Sequence, residues 1–211
     1  MIDELYKDRM DRFWDAFGRA VARTGMTPDA VTWLGFALSA ANALAFAFHR
    51  RLVLFGLLVA VVELLDNVDG AVARVTGRST RAGAFLDATT DRYKDVFILL
   101  AIGWVSGYWL PVGVAIAGSL ITSYAAARAA MLGASGESGG GWPDLFERLE
   151  RIATLCIGLV ATPFCPPLAG RELLFWVLWF VAGMTQLTAA QRFSRRLRQL
   201  RALDAGAGAA D

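Results

Sequence analysis

Long apolar segments alternate with short polar connections along most of the 211 residues. Six of these segments approach or exceed the roughly 20 residues that an α-helix needs to cross the hydrocarbon core of a bilayer. They cover residues 30–48, 52–74, 82–105, 111–131, 152–168 and 173–192. The fifth is the weakest, because prolines at 163, 166 and 167 interrupt its end. The pattern therefore predicts an all-α membrane protein with six transmembrane helices.

The first 25 residues follow a different pattern, in which apolar and basic positions are interleaved. The apolar side chains recur at near-helical spacing, and they are Leu5, Phe13, Phe17 and Val21. This spacing predicts an amphipathic juxtamembrane helix over 1–25 that lies on an anionic membrane surface. A plain soluble amphipathic helix is the alternative.

Two further boundaries complete the predicted organisation. Thr27 followed by Pro28 predicts the start of a helix, with Thr27 as its cap and Pro28 at its first position. A six-helix membrane domain then occupies residues 26–201. Residues 202–211 are small and polar, and they predict a flexible tail.

Composition agrees with a membrane domain and narrows the possible partners. The chain is 56% hydrophobic and 19% charged, whereas a soluble domain of this size carries more charge. A net charge of +2 is too mild to indicate a nucleic-acid partner. The expected partners of the chain are therefore membrane lipids and not nucleic acid.

Basic residues collect on alternate connections between the predicted spans. They are frequent before the first span, between the second and third, before the fifth and after the sixth, and scarce in the connections between. By the positive-inside rule, this distribution places both termini in the cytoplasm. The protein is thus expected to be a multi-pass protein of the cell membrane.

Four aspartates stand out in one otherwise apolar stretch of the chain. Asp66 and Asp69 are three residues apart, and Asp87 and Asp91 are four apart, so each pair shares one face of a helix. Carboxylates at membrane depth are costly and usually mark a functional site. A group of oxygen ligands without nearby His or Cys suits a hard cation such as Mg²⁺.

The two aspartate pairs are expected to face each other, because only residues 75–81 separate the helices that carry them. Gly70 and Gly83 would let the backbones, or a ligand, approach closely. Without cations, four such carboxylates would repel strongly, and one or two Mg²⁺ ions would neutralise them. Arg74 could contact phosphate oxygens in a bidentate manner. Helix-end charges paired with arginines are the structural alternative.

These residues also carry a family resemblance. The spacing D-x-x-D-G-x-x-A-R, eight residues, then G-x-x-x-D-x-x-x-D is the hallmark of the CDP-alcohol phosphotransferases, and this chain is similar to that family over nearly its whole length. All eight fixed positions match, and they are Asp66, Asp69, Gly70, Ala73, Arg74, Gly83, Asp87 and Asp91.

The resemblance implies a six-helix membrane enzyme, usually a homodimer, with a polar cavity that faces the cytoplasm. The implied reaction displaces CMP from a CDP-linked lipid by an alcohol hydroxyl. Mg²⁺ or Mn²⁺, with two ions expected, would be held by Asp66, Asp69, Asp87 and Asp91. Asp91 corresponds to the general base, although spacing alone does not separate it from Asp87.

The resemblance also implies which residues bind the CDP-linked lipid. Members that use CDP-diacylglycerol often have P-N-x-x-T before the first span, where this chain has Asp29 in place of Asn and retains Thr32. An aspartate cannot donate a hydrogen bond as an amide does. The predicted set is Asp29, Thr32, Asp66, Asp69, Gly70, Ala73, Arg74 and Gly83.

Three stretches resemble those of phosphatidylinositol phosphate synthases and their archaeal relatives, which favours a phosphorylated acceptor, inositol phosphate first. They are G-A-F-L-D-A-T-T-D-R-Y from 83, E-R-L-E-R from 147 and Q-R at 191. Ala126 stands where a phosphate-binding Lys is expected. Arg151 and Arg192 therefore become the expected phosphate contacts, with Arg128 as a third candidate.

The sequence leaves open other acceptors and one other class of protein. Glycerol 3-phosphate is the second acceptor, and free inositol or serine is the third. A different class is a non-enzymatic protein, such as a divalent-cation channel or transporter with an acidic cluster. Such a pathway needs polar groups through the membrane, yet the other predicted spans are nearly uncharged.

Overall fold

The structure is a computed structural model that describes residues 13–134 and 145–207. Every regular element in these ranges is helical. Helix α1 covers residues 13–22 of the described chain. It is followed by α2 (Pro28–His49), α3 (Leu52–Thr76), α4 (Arg81–Ser106), α5 (Trp109–Met131), α6 (Arg148–Ala161), a short 3₁₀ helix (Thr162–Phe164) and α7 (Leu173–Ala207).

A helix covers most of each segment that the sequence predicted to span a membrane, so the all-α class is confirmed. Among the described residues, three helices are long and apolar enough to cross a bilayer by length and composition: α2, α5 and α7. Helices α3 and α4 have the length, with 25 and 26 residues, but they carry the charged residues of the aspartate stretch. The count of six spans stays a prediction.

The fifth predicted span differs most from the structure. Helix α6 begins at Arg148 and ends at Ala161, where Pro163 enters the 3₁₀ helix. A proline inside an α-helix removes a backbone donor and clashes with the preceding turn, which explains the early end. At its other end, α6 starts four residues before the predicted span.

The predicted start of the first long helix is confirmed. The Thr27 side chain accepts a hydrogen bond from the Ala30 amide at 3.2 Å, and Pro28 occupies the first turn. Asp29 also lies in this turn, and its negative charge is favourable there because the N-terminus of a helix carries a partial positive charge. The capped start fixes the positions of Asp29 and Thr32 on α2.

The described chain divides into two compact units after Ala101. In the first unit, the C-terminal end of α2 packs against the N-terminal end of α3 through the aromatic pair of Phe46 and Phe55. Their rings stack with centroids 4.0 Å apart, and both side chains are fully buried. Val31, Val68 and Val72 form a second buried cluster between the same two helices. This packing holds the aspartates of α3 beside the first turns of α2.

Helix α1 also packs against this cluster, through Trp14, Val21 and neighbouring side chains. The two backbones approach so closely that a Cβ on Gly18 would lie 2.9 Å from Ala71. Phe13 and Phe17 on the same helix stay exposed. The position of α1 on a membrane surface stays a prediction, and Leu5 lies outside the described residues.

In the second unit, small residues let α7 approach its neighbours. A Cβ on Gly118 of α5 would lie within 3 Å of Thr185, and one on Gly158 of α6 would lie within 3 Å of Val177. The Gln186 amide donates to the Val114 carbonyl at 2.8 Å. Helix α7 continues to Ala207, so residues 202–207 are helical where the sequence predicted a flexible tail.

Candidate active site

A short connection brings the two aspartate pairs together. Gly77 ends α3 in the left-handed backbone region with φ of 64°, a conformation that glycine adopts without strain. Thr80 then caps the start of α4, because its hydroxyl oxygen accepts from the Gly83 amide at 2.9 Å. The chain thus reverses within residues 77–80.

Three of the four aspartates converge on one point. Asp66 and Asp69 on α3 and Asp87 on α4 each place a carboxylate oxygen so that the three atoms lie within 4.8 Å of one another. Three carboxylates at this separation repel unless a positive charge lies between them. An all-oxygen donor set fits Mg²⁺ or Mn²⁺, which prefer carboxylate ligands. The residues present therefore fit the divalent cation that the sequence predicted.

Asp69 has the most fixed position of the three converging aspartates. It is buried, with 8% of its surface exposed. The Thr32 hydroxyl donates to its Oδ2 at 2.6 Å, and the Gly70 amide donates to its Oδ1. Such partners fix the orientation of a metal-binding carboxylate. Thr32 was predicted to contact the CDP-linked lipid, and in the structure its hydroxyl contacts this aspartate.

The hydrogen bond from Thr32 should matter for metal affinity. Thr32→Val removes the donor and keeps the branched shape, so we expect the Mg²⁺ concentration for half-maximal turnover to rise about tenfold. Thr32→Ser keeps the hydroxyl and is the matched control. The measurement is a Mg²⁺ titration of the CMP release that the family resemblance implies. Equal half-saturation in the wild type and the valine variant would contradict this role.

Asp91 has a different partner, which the sequence reasoning missed. The ammonium of Lys94 lies 2.9 Å from Asp91 Oδ1 and also pairs with Asp66 Oδ1. Lys94 is fully buried. A lysine three residues after Asp91 on the same helical face was the available signal. Arg92 Nη2 lies 4.0 Å from Asp91 Oδ2, and Arg92 Nη1 lies 3.9 Å from Oδ2 of the buried Asp95.

A cavity of about 270 Å³ opens beside the converging carboxylates. It is lined by most of the residues that the sequence predicted to bind the CDP-linked lipid: Asp29, Thr32, Asp69, Gly70, Ala73, Arg74 and Gly83. Asp87 lines it as well, together with Arg78, Ser79 and Thr80, which the sequence reasoning did not single out. Short side chains predominate where α2, α3 and α4 meet, which leaves room for a ligand.

Gly83 has a specific reason to lack a side chain. A Cβ at this position would lie 3.2 Å from Thr80 Oγ1 and 3.3 Å from Asp29 Oδ1. The glycine therefore lets the Asp29 carboxylate approach the first turn of α4. This contact places Asp29 at the cavity wall.

Arg74 is half exposed at the cavity and already has one partner. Its guanidinium contacts Asp15 of α1 through Nε at 3.3 Å and Nη2 at 3.2 Å. The arginine side chain is 50% exposed, so it remains accessible from the cavity. An exposed ion pair of this kind contributes little to stability.

The three arginines predicted to bind the acceptor belong to the second unit. Arg128 is exposed in the last turn of α5, and Arg151 is buried in the first turn of α6 with 4% exposed. Arg192 on α7 donates from Nη1 to the Thr122 carbonyl of α5 at 3.4 Å. Ala126, which replaces the expected lysine, lies on α5 between Thr122 and Arg128.

Comparison with known proteins identifies the class of enzyme. The family model of CDP-alcohol phosphatidyltransferase matches residues 25–187, which is most of the chain. The chain therefore belongs to the CDP-alcohol phosphatidyltransferase family, as the aspartate motif predicted. It is a metal-dependent membrane transferase of phospholipid biosynthesis that moves a phosphatidyl-type group from a CDP-linked lipid to an alcohol.

Individual relatives narrow the comparison. The phosphatidylinositol phosphate synthase of Mycobacteroides abscessus is 31% identical over 89% of this chain and 85% of its own length. The archaetidylinositol phosphate synthase of Pyrococcus horikoshii is 34% identical over 68% of this chain and 74% of its own. The predicted resemblance to these two groups is confirmed.

Solved structures agree with the sequence matches. The phosphatidylinositol phosphate synthase of Mycobacterium tuberculosis with CDP-DAG bound has a TM-score of 0.73 and 29% identity, covering 90% of this chain and 94% of that one. The same enzyme in complex with manganese and citrate also gives 0.73, at 30% identity, covering 89% and 88%.

Proposed function

We propose that this enzyme transfers a phosphatidyl-type group from a CDP-linked lipid to inositol phosphate and releases CMP. The observation that carries the proposal is the convergence of Asp66, Asp69 and Asp87 beside a cavity of about 270 Å³ with an arginine at its wall. The acceptor is supported by the relatives named above.

Each cavity residue has a role in binding and orienting the diphosphate. Arg74 offers a fork of donors to phosphate oxygens, and Gly70, Ala73 and Gly83 leave space for the CDP group. Asp29 and Thr32 line the cavity from α2, and they would contact the CDP group. Asp66, Asp69 and Asp87 hold the divalent cation, which when bound stabilises negative charge on the diphosphate.

The chemical step needs a base for the acceptor. The acceptor hydroxyl oxygen attacks the lipid-linked phosphorus, the bond from that phosphorus to the CMP oxygen breaks, and the hydroxyl proton passes to Asp91. A carboxylate within reach of a hydroxyl is a suitable acceptor for this proton. Arg151 and Arg192, with Arg128 as a third contact, bind the acceptor phosphate.

The number of membrane spans, the oligomeric state and the orientation of the active site are proposed from the sequence patterns and the family resemblance. The chain is proposed to cross the cell membrane six times, to form a homodimer, and to open its active site to the cytoplasm. Helix α6 and the 3₁₀ helix together span about 27 Å from 14 and 3 residues, close to the hydrocarbon thickness. Residues 1–25 would lie on the membrane surface, and either Mg²⁺ or Mn²⁺ would serve as the cation.

The test is CMP release by the purified protein in detergent with CDP-diacylglycerol and Mg²⁺. Inositol phosphate, glycerol 3-phosphate, inositol and serine are supplied separately, and a chelator serves as the control. We expect release that depends on inositol phosphate and stops with the chelator. Repeating the assay with a CDP-linked ether lipid covers the archaeal type of donor.

The same panel separates the alternatives. Turnover with glycerol 3-phosphate but not with inositol phosphate would replace the proposed acceptor. A non-enzymatic cation pathway would instead give divalent-cation flux in liposomes without CMP release.

The role of Arg74 can be separated from its ion pair with Asp15. Arg74→Ala removes the guanidinium from the cavity, so we expect the KM for the CDP-linked lipid to rise roughly tenfold, since a charge-assisted hydrogen bond is lost. Asp15→Asn breaks the ion pair but leaves the arginine, and its KM should stay within about twofold. Equal effects of the two substitutions would show that Arg74 acts only through α1.

A further inference from the structure

We propose that Arg78, on the connection between α3 and α4, binds the nucleotide-side phosphate of the CDP-linked lipid and holds the same phosphate in CMP after transfer. The inference rests on the proposed transferase function and deepens it, because it adds a second arginine to the diphosphate site. Arg78 is one of the eight residues that the family motif leaves unspecified between Arg74 and Gly83.

The end of α3 holds the backbone of Arg78 in place. The Arg78 amide donates to the Ala73 carbonyl at 3.0 Å, and the Gly77 amide donates to the Arg74 carbonyl at 3.3 Å. These two hydrogen bonds form a Schellman motif, in which Gly77 takes the left-handed conformation. The side chain of Arg78 contributes nothing to this cap, so a substitution of the side chain should leave the turn intact.

Arg78 lines the cavity of about 270 Å³, and the residue is exposed, so its long side chain can reach a ligand there. Among residues 13–134 and 145–207, its guanidinium forms no hydrogen bond or ion pair. Arg74 differs, because its guanidinium is paired with Asp15. Within this part of the chain, Arg78 can therefore bind a phosphate without giving up an ion pair, and its fork of donors suits phosphate oxygens.

The position of Arg78 indicates which part of the donor lipid it meets. The carboxylates of Asp69 and Asp87 mark the part of the cavity where the cation is expected. Arg74 belongs to this part, since a Cβ on Gly70 would lie 3.6 Å from Arg74 Nη1. Arg78 lies about two helical turns further along, on the connection that ends α3. The acyl chains belong among the apolar helices, so the nucleotide extends from the cation toward this polar connection.

The charges around the cavity favour a second guanidinium. Asp29 lines the same wall, and its carboxylate would repel a phosphate, whereas the positive charge of Arg78 offsets this repulsion. The nucleotide-side phosphate stays on CMP when the bond to the lipid-linked phosphorus breaks. A contact with it is therefore present in substrate and product, and it should contribute to binding of both more than to the rate of the chemical step.

The test is equilibrium binding of CMP to the full-length protein in detergent with Mg²⁺, measured by calorimetry, with CMP release assayed on the same preparations. Arg78→Ala should weaken CMP binding roughly tenfold and raise the KM for CDP-diacylglycerol by a similar factor, with kcat within about threefold. Arg78→Lys keeps the charge and should weaken CMP binding less than about threefold.

The matched control is Arg81→Ala. Arg81 is exposed at the start of α4, three residues from Arg78, and it is not among the described residues that line the cavity. This variant removes the same charge from the same connection, so its affinity for CMP should stay within about twofold of the wild type.

An unchanged affinity for CMP in Arg78→Ala would overturn the inference, whatever happens to kcat. An equal loss in Arg81→Ala would also overturn it, since that result indicates a general attraction of anions by positive charge. If Arg78→Ala is not extractable in folded form, Arg78→Gln removes the charge at a similar length, and the same comparison decides. CMP release by the wild type with unaltered binding in the variants would reject this inference alone, whereas no CMP release from any donor and acceptor would reject the proposed function.

Discussion

Asp69→Asn is expected to lower CMP release by more than about a hundredfold while the protein remains folded and extractable. Asp69 is the most buried of the three converging aspartates, and its two oxygens accept from Thr32 and Gly70. Asparagine keeps the shape and one carbonyl oxygen but loses the negative charge with which Asp69 is proposed to bind the cation. Loss of a residue that only hydrogen-bonds to a metal ligand typically lowers metal affinity or activity by about ten- to a hundredfold, so loss of the ligand's own charge should lower activity more.

The measurement is CMP release at saturating CDP-diacylglycerol and inositol phosphate, together with size-exclusion chromatography in detergent. Asp204→Asn removes the same charge from an exposed position near the end of α7, and it should keep wild-type activity. Near-normal turnover in Asp69→Asn would refute its assignment as a metal ligand. An aggregated variant would instead mean that the hydrogen bonds of Asp69 hold α2 and α3 together.

Arg192→Ala is expected to raise the KM for the acceptor by roughly ten- to a hundredfold, with little change in the KM for the CDP-linked lipid. A hydrogen bond to a charged group contributes about 1.5–3 kcal/mol, which corresponds to this range. Arg192 reaches from α7 to the Thr122 carbonyl of α5, so the helix pair holds its guanidinium in place.

The matched control is Arg198→Ala, which removes an exposed arginine from the same helix. Both variants are assayed while one substrate is varied and the other is saturating. An unchanged acceptor KM in Arg192→Ala would remove this residue from the proposed pocket. An equal rise in both variants would indicate a general effect of positive charge on attraction of the phosphorylated acceptor.

Much of the fold was predictable because helices in membranes follow strong local rules. Apolar runs of about 20 residues marked the long helices, and Thr27 with Pro28 marked the start of α2. Boundaries near polar residues were less predictable. Helix α6 ended before its prolines, and α7 continued to Ala207, since helical propensity and packing decide where such ends lie.

The site was predictable only as far as sequence spacing reaches. The aspartates were identified because four carboxylates at helical spacing in an apolar stretch have few structural explanations. The sequence did not predict that Thr32 donates to Asp69, because the two residues are 37 positions apart. The same limit applies to Arg74, whose partner Asp15 is 59 positions away.

The sequence by itself determined the helical class from its apolar pattern and the candidate metal-binding residues from their spacing. Through the resemblance of a motif of about 26 residues to a known family, it also determined the family and the reaction. Only the tertiary structure decided which of the four aspartates lie together and which one pairs with a lysine. Three of them converge on one point, and the fourth is joined to Asp66 by the buried Lys94. The physical reason is that burial and the meeting of α3 with α4 determine which charges lie within a few ångströms, and spacing along one helix does not.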